Sequence, residues 1–225
     1  AEGLAYFLAS QIALFVSITA IVIAYKSIAG ERESGSIKIL LSLPHTRRDV
    51  LLGKVLGRSA TLAVPTLVGL VAGAALGSVL MGEFAVVALA ALLVMSLVFV
   101  LTYTSIMVGL SALTGSTSRA SMLTIGFFLV FEILWGVVSI GLVWVTNGLS
   151  LPTEMPNWVF LVNQVPPSAA FTTGLVALIP GDIAGATDPS FDAFYATPWV
   201  GVVVLAFWLV VPLAIGYWRF ADADL

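Results

Sequence analysis

The chain has 225 residues, of which 60% are hydrophobic and only 9% are charged, and its formal net charge is -3. A soluble domain carries about 25% charged residues, so this composition excludes a water-soluble globular fold. The absence of cysteine and the single histidine, His45, exclude disulfide frameworks, thiolate or histidine metal centres and histidine-dependent catalytic triads. We therefore expect no catalytic residue and no metal site in this chain.

Five stretches are long and apolar enough to cross a bilayer, which takes about 20 residues of helix. They lie at about 4–25, 59–82, 85–113, 120–146 and 199–218. Backbone polar groups in lipid must be satisfied within the segment, so each stretch is predicted to be a helix. The fold class is therefore all-α, a polytopic transmembrane helix bundle in which residues 1–225 form one domain.

Basic residues predict how the bundle is oriented. Seven of the nine Lys and Arg residues lie between positions 26 and 58, and the other two are Arg119 and Arg219. The positive-inside rule places these loops and the C-terminus in the cytoplasm of a cell that carries the protein in its cytoplasmic membrane. An outside N-terminus without a signal sequence is unusual, so we expect one further span before Ala1.

The cytoplasmic segment 26–58 is predicted to contain a short helix. Glu31-Arg32-Glu33 leaves the first span, and Ser34-Gly35-Ser36 allows a bend. Ile37, Leu40 and Leu41 then have the i, i+3, i+4 spacing of one helix face. Spacing alone leaves two interpretations open: a surface for a soluble partner, or a topology signal that also contacts anionic lipid headgroups.

A second helix is predicted to follow at once. Pro44 helps to end the first helix. Thr46 and Asp49 have the spacing of an acidic capping box, which predicts a helix that continues through Lys54 into the next span.

This segment resembles the cytoplasmic segment of ABC type-2 transporter permeases. The family pattern is close to Glu-Arg-Glu-x-Gly-Thr, a hydrophobic helix, a proline, one or two basic residues and Gly-Lys. Here the matching stretches are Glu31 to Ser36, Leu40 to Pro44, Arg47-Arg48 and Leu52 to Lys54. Ser36 departs from the common threonine but keeps the hydroxyl group.

The resemblance implies that the helix around 36–43 couples the chain to a separate nucleotide-binding (ATPase) subunit. The residues implied in coupling are Glu31, Arg32, Glu33, Gly35, Ile37, Leu40, Leu41, Pro44, Arg47, Arg48 and Lys54. It also implies a second permease copy or paralogue, and six helices, the first of which precedes the motif. The partners expected are thus these subunits and the lipid bilayer, and no nucleic acid.

Nucleotide chemistry is expected in the partner. Gly53-Lys54 is followed by Val55 and lacks the glycine five positions before Gly53, so it is not a phosphate-binding loop. We therefore expect this chain to bind no cofactor, with ATP and Mg held by the ATPase subunit.

Gly69, Gly73 and Gly77 recur every four residues on the second predicted span. They leave one helix face without side chains, so that another helix can approach closely. Packing within one subunit and an interface between two permeases are both compatible with this pattern.

Glu132 lies 13 residues after Arg119, about 20 Å along a helix, which places it deep in the bilayer. Intramembrane acids are costly and are often functional. Three interpretations stay open: a role in the transport path, a structural hydrogen bond, and exposure to lipid. The polar neighbours expected for it are Thr102, Thr104 and Ser139.

The long outside segment 147–198 contains one ambiguous stretch. Asn163, Gln164, Pro166 and Pro167 interrupt its uncharged part, and Ser168 to Ile179 is too short to cross. We predict an interfacial or re-entrant helix there.

Three functions are compatible with these patterns. The first is the permease subunit of an ABC transporter, most simply an exporter, and therefore not an enzyme itself. The second is an ion-coupled secondary transporter that uses Glu132, which should show two similar halves; no internal repeat is found. The third is a membrane assembly factor without transport activity.

Overall fold

The computed structural model describes residues 2–81, 86–179 and 197–223. Within these ranges the chain forms α-helices and one short π-helix, and no strand. In chain order the helices are α1 (Glu2–Ala24), α2 (Ala29–Glu33), α3 (Ser36–Leu41), α4 (Arg47–Met81), α5 (Val86–Ala112), α6 (Thr117–Phe128), α7 (Trp135–Thr146), α8 (Trp158–Asn163), α9 (Pro167–Val176) and α10 (Trp199–Ala221). The π-helix, Leu129–Ile133, lies between α6 and α7.

Among the described residues, four helices are long and apolar enough to cross a membrane: α1, α4, α5 and α10. The pair α6–α7 makes a fifth candidate span, bent by 59° at its break. The predicted all-helical transmembrane bundle is therefore confirmed. Glu83 lies in the gap between α4 and α5, outside the described residues.

The single helix that we predicted over 120–146 is interrupted. The amide of Leu134 donates to the carbonyl of Leu129 at 2.8 Å, the five-residue step of a π-turn. A π-turn adds a residue to the helix, and the axis changes direction where the α-helical ladder is broken. Glu132 lies within this turn, so its depth cannot be counted along a straight helix from Arg119.

α5 is the central helix and is buried along most of its length. It packs against α10, α1, α4 and α9, and Phe99, Tyr103 and Ile106 are fully buried. Gly109 and Gly216 allow α5 and α10 to touch backbone to backbone, because a Cβ on either glycine would overlap the other helix's main chain. This contact brings the C-terminal ends of α5 and α10 together.

The outside segment is more deeply packed than predicted. α9 lies against α10, α5 and α1, with Ala170, Phe171 and Leu175 fully buried, so the short helix predicted as interfacial or re-entrant is packed into the bundle. The close approach has a physical basis: a Cβ at Gly201 would overlap the backbone of Gly174. The acidic residues Asp182, Asp188 and Asp192 of this segment lie outside the described residues.

Candidate coupling site and intramembrane carboxylate

The bend predicted at Ser34-Gly35-Ser36 separates α2 from α3. Gly35 has φ 76°, in the left-handed region that glycine adopts without steric cost. A side chain here would strain the backbone, even though no neighbouring atom lies within 4 Å of the place its Cβ would occupy. The glycine of the motif is therefore required by the turn.

Each charged residue of Glu31-Arg32-Glu33 binds a different helix. Glu31 forms an ion pair with Lys54 of α4, the only such pair among the described residues. The Arg32 guanidinium donates to the carbonyl of Ala112, at the end of α5, at 3.3 Å. The Glu33 carboxylate accepts from the amide of Thr117, at the start of α6, at 3.2 Å. α2 is thus attached to α4, to the end of α5 and to the start of α6.

Two exposed carboxylates, Glu33 at the end of α2 and Asp49 in the first turn of α4, lie outside the predicted spans 4–25 and 59–82 and have lowered pKa values. Hydrogen bonds from the hydroxyl and amide of Thr117 lower the pKa of Glu33. Hydrogen bonds from the hydroxyl and amide of Thr46 likewise lower the pKa of Asp49. Both pKa values are lower in the folded state than in the unfolded state. The stability that these hydrogen bonds contribute is therefore fully present above the unfolded-state pKa, and it is lost as the pH falls through the folded-state pKa.

Ser111 makes a further connection that the sequence did not reveal. Its fully buried hydroxyl donates to the carbonyl of Tyr25 at 2.6 Å. It accepts from the amides of Ile28 and Ala29 at 3.2 and 3.1 Å. One hydroxyl of α5 thus satisfies the backbone where α1 ends and α2 begins. A serine within an apolar span carries no pattern from which this contact could be found.

The predicted start of the second helix is confirmed. Asp49 accepts from the amide of Thr46 at 2.9 Å, and the amide of Asp49 donates to the Thr46 hydroxyl at 3.2 Å, which is a reciprocal capping box. Arg47 donates to the carbonyls of Phe220, Ala221 and Ala223 at the end of α10. Arg47, in the first turn of α4, therefore joins α4 to α10.

The predicted partner-facing side of α3 needs correction. Ile37 is only 1% exposed and belongs to the core, and Leu40 and Leu41 are partly buried against that core. The chain itself covers this apolar stripe, because a short amphipathic helix gains stability by burying it. The opposite side carries Ile39, which is 73% exposed, and Leu43, which is 53% exposed.

The glycine repeat of α4 is used mainly within the chain. A Cβ at Gly77 would overlap the side chain of Leu4, and one at Gly73 would touch Leu8, so both glycines face α1. Gly69 has no neighbour at its Cβ position and lines an open groove of about 400 Å³ between α1 and α4. Packing within one subunit therefore accounts for two of the three glycines.

Glu132 faces the bundle, which excludes lipid exposure as its explanation. The hydroxyl of the fully buried Tyr103 donates to Glu132 Oε1 at 2.9 Å. The carboxylate also faces the hydroxyl and backbone amide of Ser168, in the first turn of α9, across a cavity of about 270 Å³. An anion near a helix N-terminus is favoured by the helix dipole.

The neighbours predicted for Glu132 are wrong. Thr102 and Thr104 are buried, and their hydroxyls have no partner among the described residues. Ser139 instead donates to Asn163 at 2.7 Å, in the outside segment. Successive residues of α5 point about 100° apart around the helix axis. Of Thr102, Tyr103 and Thr104, it is therefore Tyr103 that reaches Glu132.

Comparison with known proteins agrees with this architecture. Residues 4–225 match the family described as ABC-2 family transporter protein. The chain belongs to this family. It is similar to the probable ABC transporter permease protein NosY of Pseudomonas aeruginosa, with 29% identity over 166 residues, 69% of this chain and 58% of that protein. The protein of the same name from Stutzerimonas stutzeri is 28% identical over 168 residues, with the same two shares. The chain thus spans 58% of the length of these relatives.

For this ABC-2 family transporter protein, the structure sorts the predicted coupling residues into two groups. One group joins helices within the chain: Glu31, Arg32, Glu33, Ile37, Arg47 and Lys54. The other group remains on the surface of the same segment and includes Pro44 and Arg48. The segment 26–58 therefore combines contacts to several helices with residues that stay exposed on its surface.

Proposed function

We propose that this chain is the membrane-spanning permease subunit of an ABC exporter in the cytoplasmic membrane, driven by a separate ATPase subunit that binds α3. The family match over residues 4–225 and the two relatives named as ABC transporter permeases support the permease role. The charge distribution supports a cytoplasmic position for α3 and the C-terminus. ATP and Mg are bound by the ATPase subunit, and a second permease copy or paralogue completes the transporter.

The observation that carries this proposal is the set of contacts made by Glu31, Arg32 and Glu33. Through them α2 is attached to α4, α5 and α6, and α3 follows α2 after a single bend. A displacement of α3 by the ATPase would therefore move several spans together rather than bend a loop. Such a rigid attachment is what coupling of ATP hydrolysis to a membrane rearrangement requires.

The ATPase would contact the exposed side of α3. Ile39 and Leu43 lie on that side and are flanked by Lys38, Arg48 and the exposed Pro44. Apolar residues rimmed by charge are typical of a docking helix, in which the apolar anchors supply affinity and the charges supply orientation. This assignment replaces Ile37, Leu40 and Leu41 as the direct contacts.

Replacing Ile39 by Asp tests this docking side. A carboxylate buried at the interface without a partner costs at least several kcal/mol, so ATPase recovery in a pull-down should fall at least tenfold. Leu149→Asp is the matched control, because Leu149 is also exposed but follows α7 at the other end of the bundle. Both variants should insert normally. Undiminished ATPase recovery with Ile39→Asp would refute the assignment of α3.

Glu132 is a candidate residue for lining the transport path, and it also accepts a hydrogen bond that stabilises the bundle. The cavity it lines also contains Ser10, Ser17 and Thr172, a set of hydroxyls suited to a polar substrate. Its bond to Tyr103 and its position facing α9 support the structural role equally well. The ion-coupled carrier remains the alternative function and would require this carboxylate for every transport cycle.

A further inference from the structure

A polar cavity of about 370 Å³ lies between the cytoplasmic ends of three helices, away from the exposed side of α3. Its wall contains Arg32 from α2, Arg119 from the first turn of α6, and Arg219 from the last turn of α10. Among the described residues that line it, Asp222 is the one acidic side chain. Residues that are far apart in the sequence thus bring three guanidinium groups to one cavity.

The positive charge of this cavity is not balanced. Arg32 is engaged with the carbonyl of Ala112, but within the described ranges neither Arg119 nor Arg219 forms a hydrogen bond or an ion pair. Burial, and then repulsion from Arg219 and Arg47, lowers the pKa of the Arg32 guanidinium. An anion that entered the cavity would relieve this repulsion.

The partial negative charge at the nearby helix C-termini does not neutralise Arg119 and Arg219. The C-terminal carbonyls of α5 and α10 carry partial negative charge. Arg32 and Arg47 already donate to those carbonyls, at Ala112 and at Phe220 to Ala223. The guanidinium groups of Arg119 and Arg219 are therefore the donors left for a ligand.

We propose that the cavity lined by Arg32, Arg119 and Arg219 binds a phosphate group, supplied by the headgroup of an anionic phospholipid in the cytoplasmic leaflet. Guanidinium groups bind phosphate through paired, charge-assisted hydrogen bonds. Basic pockets between the cytoplasmic ends of membrane helices are suited to anionic headgroups, since the headgroups of the cytoplasmic leaflet lie at the same depth as those helix ends. The bound phosphate would join α2, α6 and α10.

A lipid titration of the purified protein tests the proposal. The melting temperature is measured in neutral detergent with phosphatidylglycerol, with phosphatidylcholine, or with inorganic phosphate. Phosphatidylglycerol should raise it and phosphatidylcholine should not. Inorganic phosphate distinguishes a lipid headgroup from free phosphate as the source of the bound group. If phosphate also stabilises the protein, the phosphate group is sufficient. If only the lipid stabilises it, the acyl chains are needed as well. Both results support the site.

Removing the two free guanidinium groups provides the decisive comparison. In Arg119→Gln/Arg219→Gln the apparent affinity for phosphatidylglycerol should fall about 30-fold, since each basic group near an anionic surface contributes about fivefold. Arg48→Gln/Arg58→Gln is the matched control, because it removes two cytoplasmic charges outside the cavity.

Misfolding of the double variant would not hide the result. Arg119→Gln alone removes an exposed side chain that forms no hydrogen bond or ion pair among the described residues, so it should fold and lose part of the affinity. Equal phosphatidylglycerol affinity of wild type and Arg119→Gln, or equal losses in the cavity and control variants, would overturn the proposal. Stabilisation of the wild type by phosphatidylcholine to the same extent as by phosphatidylglycerol would do so too.

Discussion

Glu132 is a carboxylate within the bilayer, and its value to the protein depends on what its oxygen atoms accept. Tyr103 donates to it from the buried central helix, and Ser168 faces it from α9. It thereby connects the bent α6–α7 span to two other helices. This is an arrangement that keeps an acid in a membrane without any Lys or Arg beside it.

Substitutions at Glu132 distinguish its structural role from a role in transport. Glu132→Gln keeps an acceptor for Tyr103, so the melting temperature should stay close to that of wild type. Glu132→Ala leaves a buried hydroxyl without an acceptor and should cost about 1–3 kcal/mol of stability. Transport assays of the stable Gln variant then decide its function: unchanged transport supports the structural role, and lost transport supports a place in the transport path.

The contribution of the ion pair between Glu31 and Lys54 can be tested by exchanging the two charges. Glu31→Lys would place two ammonium groups together and detach α2 from α4, weakening the coupling of ATPase activity to transport. A partly exposed pair such as this one, with side chains 25% and 27% exposed, contributes about 1 kcal/mol, so a several-fold loss is expected. The exchanged double variant, Glu31→Lys/Lys54→Glu, should recover most of the coupling. A double variant as impaired as the single one would mean that the two side chains act separately.

At the scale of elements, the crossing of α5 and α10 is a contact between two helix backbones. It depends on glycine because the backbones of Gly109 and Gly216 leave no room for a Cβ. The same crossing places Ala112 near the segment that ends α10, where Arg32 and Arg47 bind. The coupling segment therefore relies on helix packing within the membrane.

Gly216→Val should destabilise this crossing strongly. The added side chain must push the two backbones apart, at a cost of about 1–3 kcal/mol or more. Gly141→Val is the control, because a Cβ at Gly141 of α7 meets no atom within 4 Å. Thermal unfolding of the two variants in the same detergent measures the difference. Similar melting temperatures would show that the helices can separate without loss.

At the scale of the whole molecule, the charge asymmetry predicts which surface faces the cytoplasm. The natural sequence has no cysteine, so single-cysteine variants give an unambiguous signal. Ser42→Cys, at the end of α3, should be shielded from an impermeant label added outside intact cells. Ser150→Cys, after α7, should react. The reverse labelling pattern would invert the orientation and remove the cytoplasmic assignment of α3.

The sequence by itself determined the class of the protein, because the spans, the charge asymmetry and the capping box are local properties. Hydrophobic length predicts a span whatever its neighbours are, and the pair Thr46 and Asp49 caps α4 without help from the rest of the fold. The motif from Glu31 to Lys54 likewise identified the family to which the chain belongs.

Only the tertiary structure decided what each of these residues contacts. The apolar stripe of Ile37 could face a partner or the chain's own core, and helical periodicity is the same in both cases. The burial of α9 and the bridge made by Ser111 likewise follow from contacts between distant segments. Such contacts depend on how helices cross, and single-helix patterns carry no information about crossing.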